Sequence, residues 1–211
     1  MDLFQSLMPT KQIFAPDAYL LAGFMQNEAD ILHGLQQIIA AASLRHMVTS
    51  RGFAMSVATT NCGALGWVSD KQGYRYASTD PLTGKAWPNM PSAFLTLATA
   101  AANEAGFTNF VPDACLINQY LVGARMGLHQ DKDEKDFNQP IVSVSLGLSA
   151  MFQFGGLARS DKPIKMALNH GDVVVFGGAS RLCYHGILPL KPGVHALLGE
   201  RRINMTFRKA G

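Results

Sequence analysis

IVSVSLGL, residues 141–148, is the run on which the fold turns. Apolar residues alternate in it with small polar ones, the period of a strand rather than of a helix. Other short runs of strand character lie around it: ACLINQYL (114–121), MFQFGG (151–156), DVVVFGG (172–178), LCYHGIL (182–188) and RINMTFR (202–208), split by glycine and proline turns. Upstream the texture changes. NEADILHGLQQIIAAASL (27–44) sets Ile31, Leu35, Ile38 and Ile39 on one helical face, with Asn27 as the N-cap. PSAFLTLATAAANEAG (91–106) reads as a second helix, opened by Pro91 or Ser92 and closed by Gly106. Between the helices, residues 46–90 are rich in Gly, Thr, Ser and Pro, with Phe53, Trp67, Tyr74, Tyr76 and Trp87 among them, and read as short strands and turns. Helices followed by a series of short strands predict an α+β fold whose core is a double-sheet barrel of jelly-roll type.

Bulk properties bound the rest. A chain of 211 residues suits one elaborated domain or two small ones and buries a core without disulfides. Its 48% hydrophobic and 16% charged content excludes a disordered chain. No apolar run reaches the ~20 residues of a membrane helix, and the opening MDLFQSLMPTK has no secretory-signal pattern. Cys62, Cys115 and Cys183, scattered and odd in number, read as reduced thiols of a cytoplasmic protein. A net charge of +3 permits a polyanionic partner without demanding one.

LHQDKDE (128–134) packs polar chemistry in front of the opening run. His129 and Asp131 are spaced i, i+2, which on an extended segment puts both on one face. With the distant His185 they would make a facial triad, leaving positions open on iron for a co-substrate and O₂. By themselves these residues fit a solvated loop and a core histidine better. His33, His46, His170 and His195 are read in that ordinary way. In RINMTFR, Arg202, Asn204, Thr206 and Arg208 alternate with Ile203, Met205 and Phe207. If the polar row faces inward, its two guanidiniums need anions, and a small dicarboxylate would serve. If it faces water, they need nothing.

Taken together, H-x-D, the distal His185 and R-x5-R resemble an Fe(II)/2-oxoglutarate-dependent dioxygenase. More narrowly, NCGALGW, PDACLINQY, LHQDKDE, PIVSVSLGL, FQFGG, HGDVVVFGG, YHGI and RINMTFR resemble the AlkB family of nucleic-acid dealkylases, across roughly residues 46–208. The resemblance implies a double-stranded β-helix (jelly-roll) core at 91–211, a nucleotide-recognition lid at 46–90 that includes FAMSVATTNCG (53–63), and an N-terminal extension with a helix at 1–45. It implies that His129, Asp131 and His185 bind iron. Asn118 and Arg208 would hold the 2-oxoglutarate carboxylate nearest the metal, and Tyr120, Arg202 and Asn204 the far one. Trp67, Tyr74, Asp133 and Arg159 would meet the nucleotide, the damaged base lying between Trp67 and the His129 ring. For Trp67 and Tyr74, ordinary packing under a glycine-rich loop is the alternative. Lys71, Arg75, Lys132, Lys135, Arg159, Lys162 and Lys165 could meet phosphates or form a solvated surface.

The implied reaction is oxidative demethylation of 1-methyladenine and 3-methylcytosine in single- or double-stranded DNA, or in RNA, by a cytoplasmic monomer. It releases formaldehyde, succinate and CO₂. Such lesions are cationic and cannot pair, so they leave a duplex at lower cost than a normal base. Thr59 and Phe176 depart from the bacterial AlkB pattern, which has methionine near the substrate and tryptophan near the metal. Two competing readings are a 2-oxoglutarate oxygenase acting on a small molecule or protein side chain, and a non-catalytic β-barrel that binds a metal or nucleic acid. The latter leaves the paired arginines without a dicarboxylate.

Overall fold

The computed structural model describes residues 10–211. Most of the opening stretch examined for a signal, and the first nine residues of the expected N-terminal extension, lie outside the described residues. In chain order come strands β1 (Thr10–Ala15) and β2 (Ala18–Ala22), helix α1 (Glu28–Ala41), and β3 (Arg45–Val48), β4 (Ala54–Gly63), β5 (Gly66–Asp70) and β6 (Gly73–Ala77). Helix α2 (Ser92–Glu104) follows, then β7 (Ala114–Leu121), β8 (Met126–His129), β9 (Ile141–Gly147) and β10 (Ala150–Phe154). The chain ends in β11 (Ile164–Leu168), β12 (Val173–Phe176), β13 (His185–Ile187) and β14 (Arg201–Arg208). Eight strands form a large sheet in the order β1-β2-β12-β9-β14-β7-β4-β3. Four form a small one, β11-β10-β13-β8, and β5 and β6 make a separate hairpin. This is the expected β-rich jelly-roll core with two helices.

The opening run alternates because one face of its strand joins the apolar layer under the helices while the other carries serines that bond to polar side chains of β14. On β9, Val142, Val144 and Leu146 point to the layer beneath α1 and α2, where they join Phe94, Leu97, Ile31 and Leu35. On β14, Ile203, Met205 and Phe207 do the same. The opposite faces of β9 and β14 carry Ser143, Ser145, Arg202, Asn204, Thr206 and Arg208 into the space between the two sheets. Phe152, Phe154, Val174 and Phe176 line that space as a second apolar cluster. Burying each large apolar side chain contributes about 1.5–3 kcal/mol, so the helix-side layer can hold β14 in place while its other face remains polar.

Both helices form near where the pattern placed them, with local differences. α1 ends at Ala41, short of Leu44. Asn27 stands at its start in the left-handed conformation, φ 53°, with no side-chain cap; its carbonyl oxygen instead accepts from the amides of Asp30 and Ile31. Gly106, at φ 95°, closes α2 as its lack of a Cβ allows. Four strands have no counterpart in the sequence reading. β1 and β2 fall inside the expected N-terminal extension, where β2 pairs with β12 and so joins the large sheet. β8 spans only four residues, and β11 is a mostly exposed edge. Most of FAMSVATTNCG is β4, hydrogen-bonded to β7 over six register pairs. No helix among the described residues is long and apolar enough to cross a membrane.

Candidate active site

β8 and β13 are antiparallel neighbours, with His129 directly opposite His185. The ring centres are 4.4 Å apart. Gly186 permits the close pairing, since a Cβ there would stand 2.6 Å from the carbonyl oxygen of Met126. β8 stops at His129, and Asp131 follows in a loop anchored by Gln130, which donates to the Leu182 carbonyl at 2.7 Å. The Asp131 carboxylate still shares a side with His129. Its Oδ1 lies 3.7 Å from His129 Nε2 and its Oδ2 lies 3.8 Å from His185 Nε2. One ligand atom from each of the three residues falls within 4.8 Å of the others.

The hydrogen bonds around the rings point the right atoms inward. Nδ1 of His129 lies 2.9 Å from the Gly127 carbonyl oxygen, and Nδ1 of His185 lies 3.1 Å from that of Cys183. A carbonyl only accepts, so both rings carry a proton at Nδ1 and can offer Nε2 as a ligand. Burial, and then the nearby His129, pull the His185 pKa down to about 4, so this imidazole is neutral at neutral pH. Burial alone would raise the Asp131 pKa. Arg208, followed by His185 and His129, outweighs it and holds Asp131 well below the usual carboxylate range. Two imidazole nitrogens and a carboxylate on one side are the donor set of a non-haem Fe(II) facial triad. Phe176 packs edge-on against His185 at 5.0 Å between ring centres, bringing an apolar wall to the site.

A cavity of about 480 Å³ opens from the triad. Every site residue named from the sequence lines it: Asn118, Tyr120, Arg202, Asn204 and Arg208 at the buried end, and Trp67, Tyr74, Asp133 and Arg159 at the mouth. Arg202 is 1% exposed. Its Nη2 donates to Ser145 Oγ at 3.0 Å and its guanidinium sits 5.1 Å above the Tyr120 ring centre, but Nε and Nη1 have no partner. Asn118 Oδ1 is also buried and unpartnered, an acceptor that an anion does not complete. A buried cation with open donors is unfavourable unless an anion completes it, and burial lowers the Arg202 pKa accordingly. A dicarboxylate reaching inward from the triad fits this gap. Arg208 differs: its Nε and Nη2 donate to Asp131 Oδ2 at 3.1 and 2.7 Å. Asn204 lines the cavity, yet its Nδ2 donates to Ser143 Oγ at 2.8 Å and the Val144 carbonyl at 3.1 Å, and its Oδ1 accepts from Thr206.

At the mouth, Trp67 and Tyr74 are stacked, 5.5 Å between centres and 16° between planes. Trp67 Nε1 donates to Asp133 Oδ2 at 2.8 Å. Arg159 lies 5.8 Å over the Tyr184 ring centre. Of the candidate phosphate contacts, Lys132 joins Arg159 in lining the mouth, whereas Arg75 is paired with Asp70 at 2.8 Å. Thr59 is buried on β4 and does not line the cavity. None of His33, His46, His170 and His195 joins the triad; His33 meets Gln37, His46 the Met55 carbonyl, and His170 stacks on His195.

Sequence reasoning passed over Glu134 and Arg181. Glu134 is the last acid of LHQDKDE, and Arg181 stands four residues before His185. Both are buried behind Asp131, with Arg181 Nη2 donating to Glu134 Oε2 at 3.0 Å. The available signal was an acid in the metal-binding loop left without a function.

Known proteins resemble this chain in family and in fold. Residues 17–208 match the family model of the 2OG-Fe(II) oxygenase superfamily. The chain is 53% identical, over all of its length and 98% of the relative's, to the alpha-ketoglutarate-dependent dioxygenase AlkB of Salmonella typhimurium. It is 34% identical over 70% of its length to a DNA N(6)-methyladenine demethylase, ALKBH1C, of Arabidopsis thaliana, covering 38% of that protein. The solved structure of OsALKBH1 superposes with a TM-score of 0.82 at 30% identity, covering 95% of this chain and all of that one.

Proposed function

The chain belongs to the AlkB family within the 2OG-Fe(II) oxygenase superfamily, and on that premise we propose that it oxidatively removes N-alkyl groups from bases such as 1-methyladenine and 3-methylcytosine. The substrate is single- or double-stranded DNA, or RNA, and the enzyme acts as a cytoplasmic monomer. It is an Fe(II)/2-oxoglutarate-dependent dioxygenase. Bound iron, with 2-oxoglutarate and O₂, supplies the oxidation of the N-methyl carbon, after which the hydroxylated product breaks down to formaldehyde and the repaired base.

The chain's own residues supply position and field. His129, Asp131 and His185 hold the iron. Asn118 and Arg208 hold the co-substrate carboxylate nearest the metal; Tyr120 and Arg202 hold the far one, with Ser145 bracing Arg202, while Asn204, its amide hydrogens committed to Ser143 and Val144, borders it. Residues 46–90 serve as the lid, and its working part is the β5–β6 hairpin, which brings Trp67 and Tyr74 to the mouth. There Trp67, Tyr74, Asp133 and Arg159 receive the nucleotide. The observation that carries the reading is the single cavity joining three elements: a buried guanidinium with open donors, the triad, and an aromatic–carboxylate pair at the mouth.

The direct test is mass spectrometry of a methylated oligonucleotide incubated with enzyme, iron, 2-oxoglutarate and O₂. Loss of one methyl per lesion is expected, with formaldehyde and succinate formed. The oligonucleotide should outperform the free methylated nucleoside, and its binding should weaken as salt rises, because phosphate contacts release counterions. Equal activity on nucleoside and oligonucleotide without salt dependence would favour a small-molecule substrate.

Asp133→Ala tests how the damaged base is chosen. A cationic base gains from an indole face by roughly 0.5–2 kcal/mol, and from a carboxylate of opposite charge, whereas a neutral one gains less. Removing Asp133 also frees Trp67 Nε1, but that affects every base alike. The variant is therefore expected to lose more activity on cationic lesions than on neutral N-alkylated guanine or thymine. An equal loss on both would show that charge is not being read there.

A further inference from the structure

Consecutive acids of the metal-binding loop, Asp133 and Glu134, each accept a hydrogen bond from the β5–β6 hairpin. Trp67 Nε1 donates to Asp133 at 2.8 Å, and the Tyr76 hydroxyl donates to Glu134 Oε1 at 2.6 Å. Trp67 and Tyr76 are register partners across the hairpin, so the loop grips both strands at one level. The two bonds have different surroundings. Asp133 is exposed, and its bond can exchange with water or with a base. The Glu134 side chain is 2% exposed.

Behind Tyr76, Glu134 belongs to a closed ionic group. Arg181 Nη2 lies 3.0 Å from its Oε2, and Arg208 Nε lies 3.2 Å from its Oε1. Arg208 continues to the Asp131 carboxylate at 2.7 Å, while Arg181 Nη1 holds the Asp131 main-chain carbonyl, also at 2.7 Å. Two carboxylates balance two guanidiniums, and none of the four side chains is more than 8% exposed. A close-packed group of mutually paired charges passes on a displacement, since each member can shift only with its partners.

We propose that Glu134 is a positioning residue that ties the β5–β6 hairpin, through Tyr76, to the Asp131–Arg208 pair, so that a base engaging the hairpin alters the carboxylate offered to the metal. This rests on the reading of the cavity mouth as a base site and adds the route by which occupancy there reaches the iron. The opposing view is that Glu134 only neutralises two buried arginines and that Tyr76 only packs beside it.

Tyr76→Phe separates the two views, because it removes one donor and leaves the ring and the ionic group intact. Glu134→Gln would leave two buried guanidiniums facing one carboxylate and can fail to fold, so the tyrosine variant carries the test. In metal-free protein, hydrogen exchange of the hairpin amides, residues 66–77, is expected to quicken about tenfold in Tyr76→Phe, as for loss of one hydrogen bond to a charged acceptor. Amides of α2 should not change. In protein loaded with Fe(II) and 2-oxoglutarate under anaerobic conditions, a saturating methylated oligonucleotide is expected to shift the visible charge-transfer band of wild type and to leave that of Tyr76→Phe in place. Unchanged hairpin exchange, or an equal band shift in both proteins, would overturn the coupling while leaving the base site standing. Failure of the oligonucleotide to bind wild type at all would instead remove the base-site reading on which the coupling rests.

Discussion

Asp131→Ala is expected to abolish turnover and to weaken iron binding by more than about a hundredfold, beyond the range typical of losing a mere supporting contact. The remaining pair, His129 and His185, cannot define a face of the coordination sphere. The same carboxylate also accepts both Arg208 bonds, at 3.1 and 2.7 Å, inside the protein. Its removal leaves a buried guanidinium shared only with Glu134, and breaking a buried ion pair from one side typically costs about 3–5 kcal/mol. The variant should therefore be less stable than wild type even without metal. His185→Ala should lose iron and turnover equally but keep its metal-free stability more nearly intact, because its imidazole is neutral at neutral pH and its loss leaves the Asp131–Arg208 pair unbroken. Iron titration and thermal unfolding of the metal-free proteins, measured side by side, check the pair. Near wild-type turnover at limiting iron in either variant would remove that residue from the triad.

Arg202→Met should move two quantities in opposite directions. Without co-substrate, Arg202 is a fully buried cation with Nε and Nη1 unpartnered. Replacing it with an apolar chain of similar length removes that unfavourable burial, so the unfolding temperature in the absence of 2-oxoglutarate is expected to rise. The affinity for 2-oxoglutarate is expected to fall by about 2–5 kcal/mol, the usual consequence of truncating one side of a buried charged pair. Binding of iron alone should be unchanged, since Arg202 does not touch the triad. Isothermal titration with 2-oxoglutarate and calorimetric unfolding of both proteins report the two effects. A variant that is destabilised yet binds 2-oxoglutarate normally would mean that Arg202 serves the fold and not the dicarboxylate.

Particular residues mark how far the sequence could be read. Alternation in RINMTFR divided an apolar row from a polar row correctly, because a strand sends successive side chains to opposite faces wherever it lies. It could not say which row faced water. Burial answered that: Arg202 and Arg208 are 1% and 6% exposed, since the small sheet covers the polar row while the helices cover the apolar one. The resemblance to a family supplied individual roles that composition and spacing left open. Among these, Asn204 lies on the cavity as expected, but its amide hydrogens turn to Ser143 and Val144, a detail set by the neighbouring β9. β1 and β2 escaped notice because short strands with weak alternation take their stability from the strand they join, here β12 for β2 and β2 in turn for β1.

Local physics in the sequence alone thus determined the helical faces, the strand periods and the presence of H-x-D, a distant histidine and paired arginines, because each depends only on neighbours along the chain. Tertiary structure decided that His185 lies opposite His129, that Arg202 is left with open donors, and that Glu134 and Arg181 close an ionic group behind Asp131. Those facts depend on which strands pair and in what register. Pairing is settled by the packing of whole faces against one another, which no single stretch of the chain encodes.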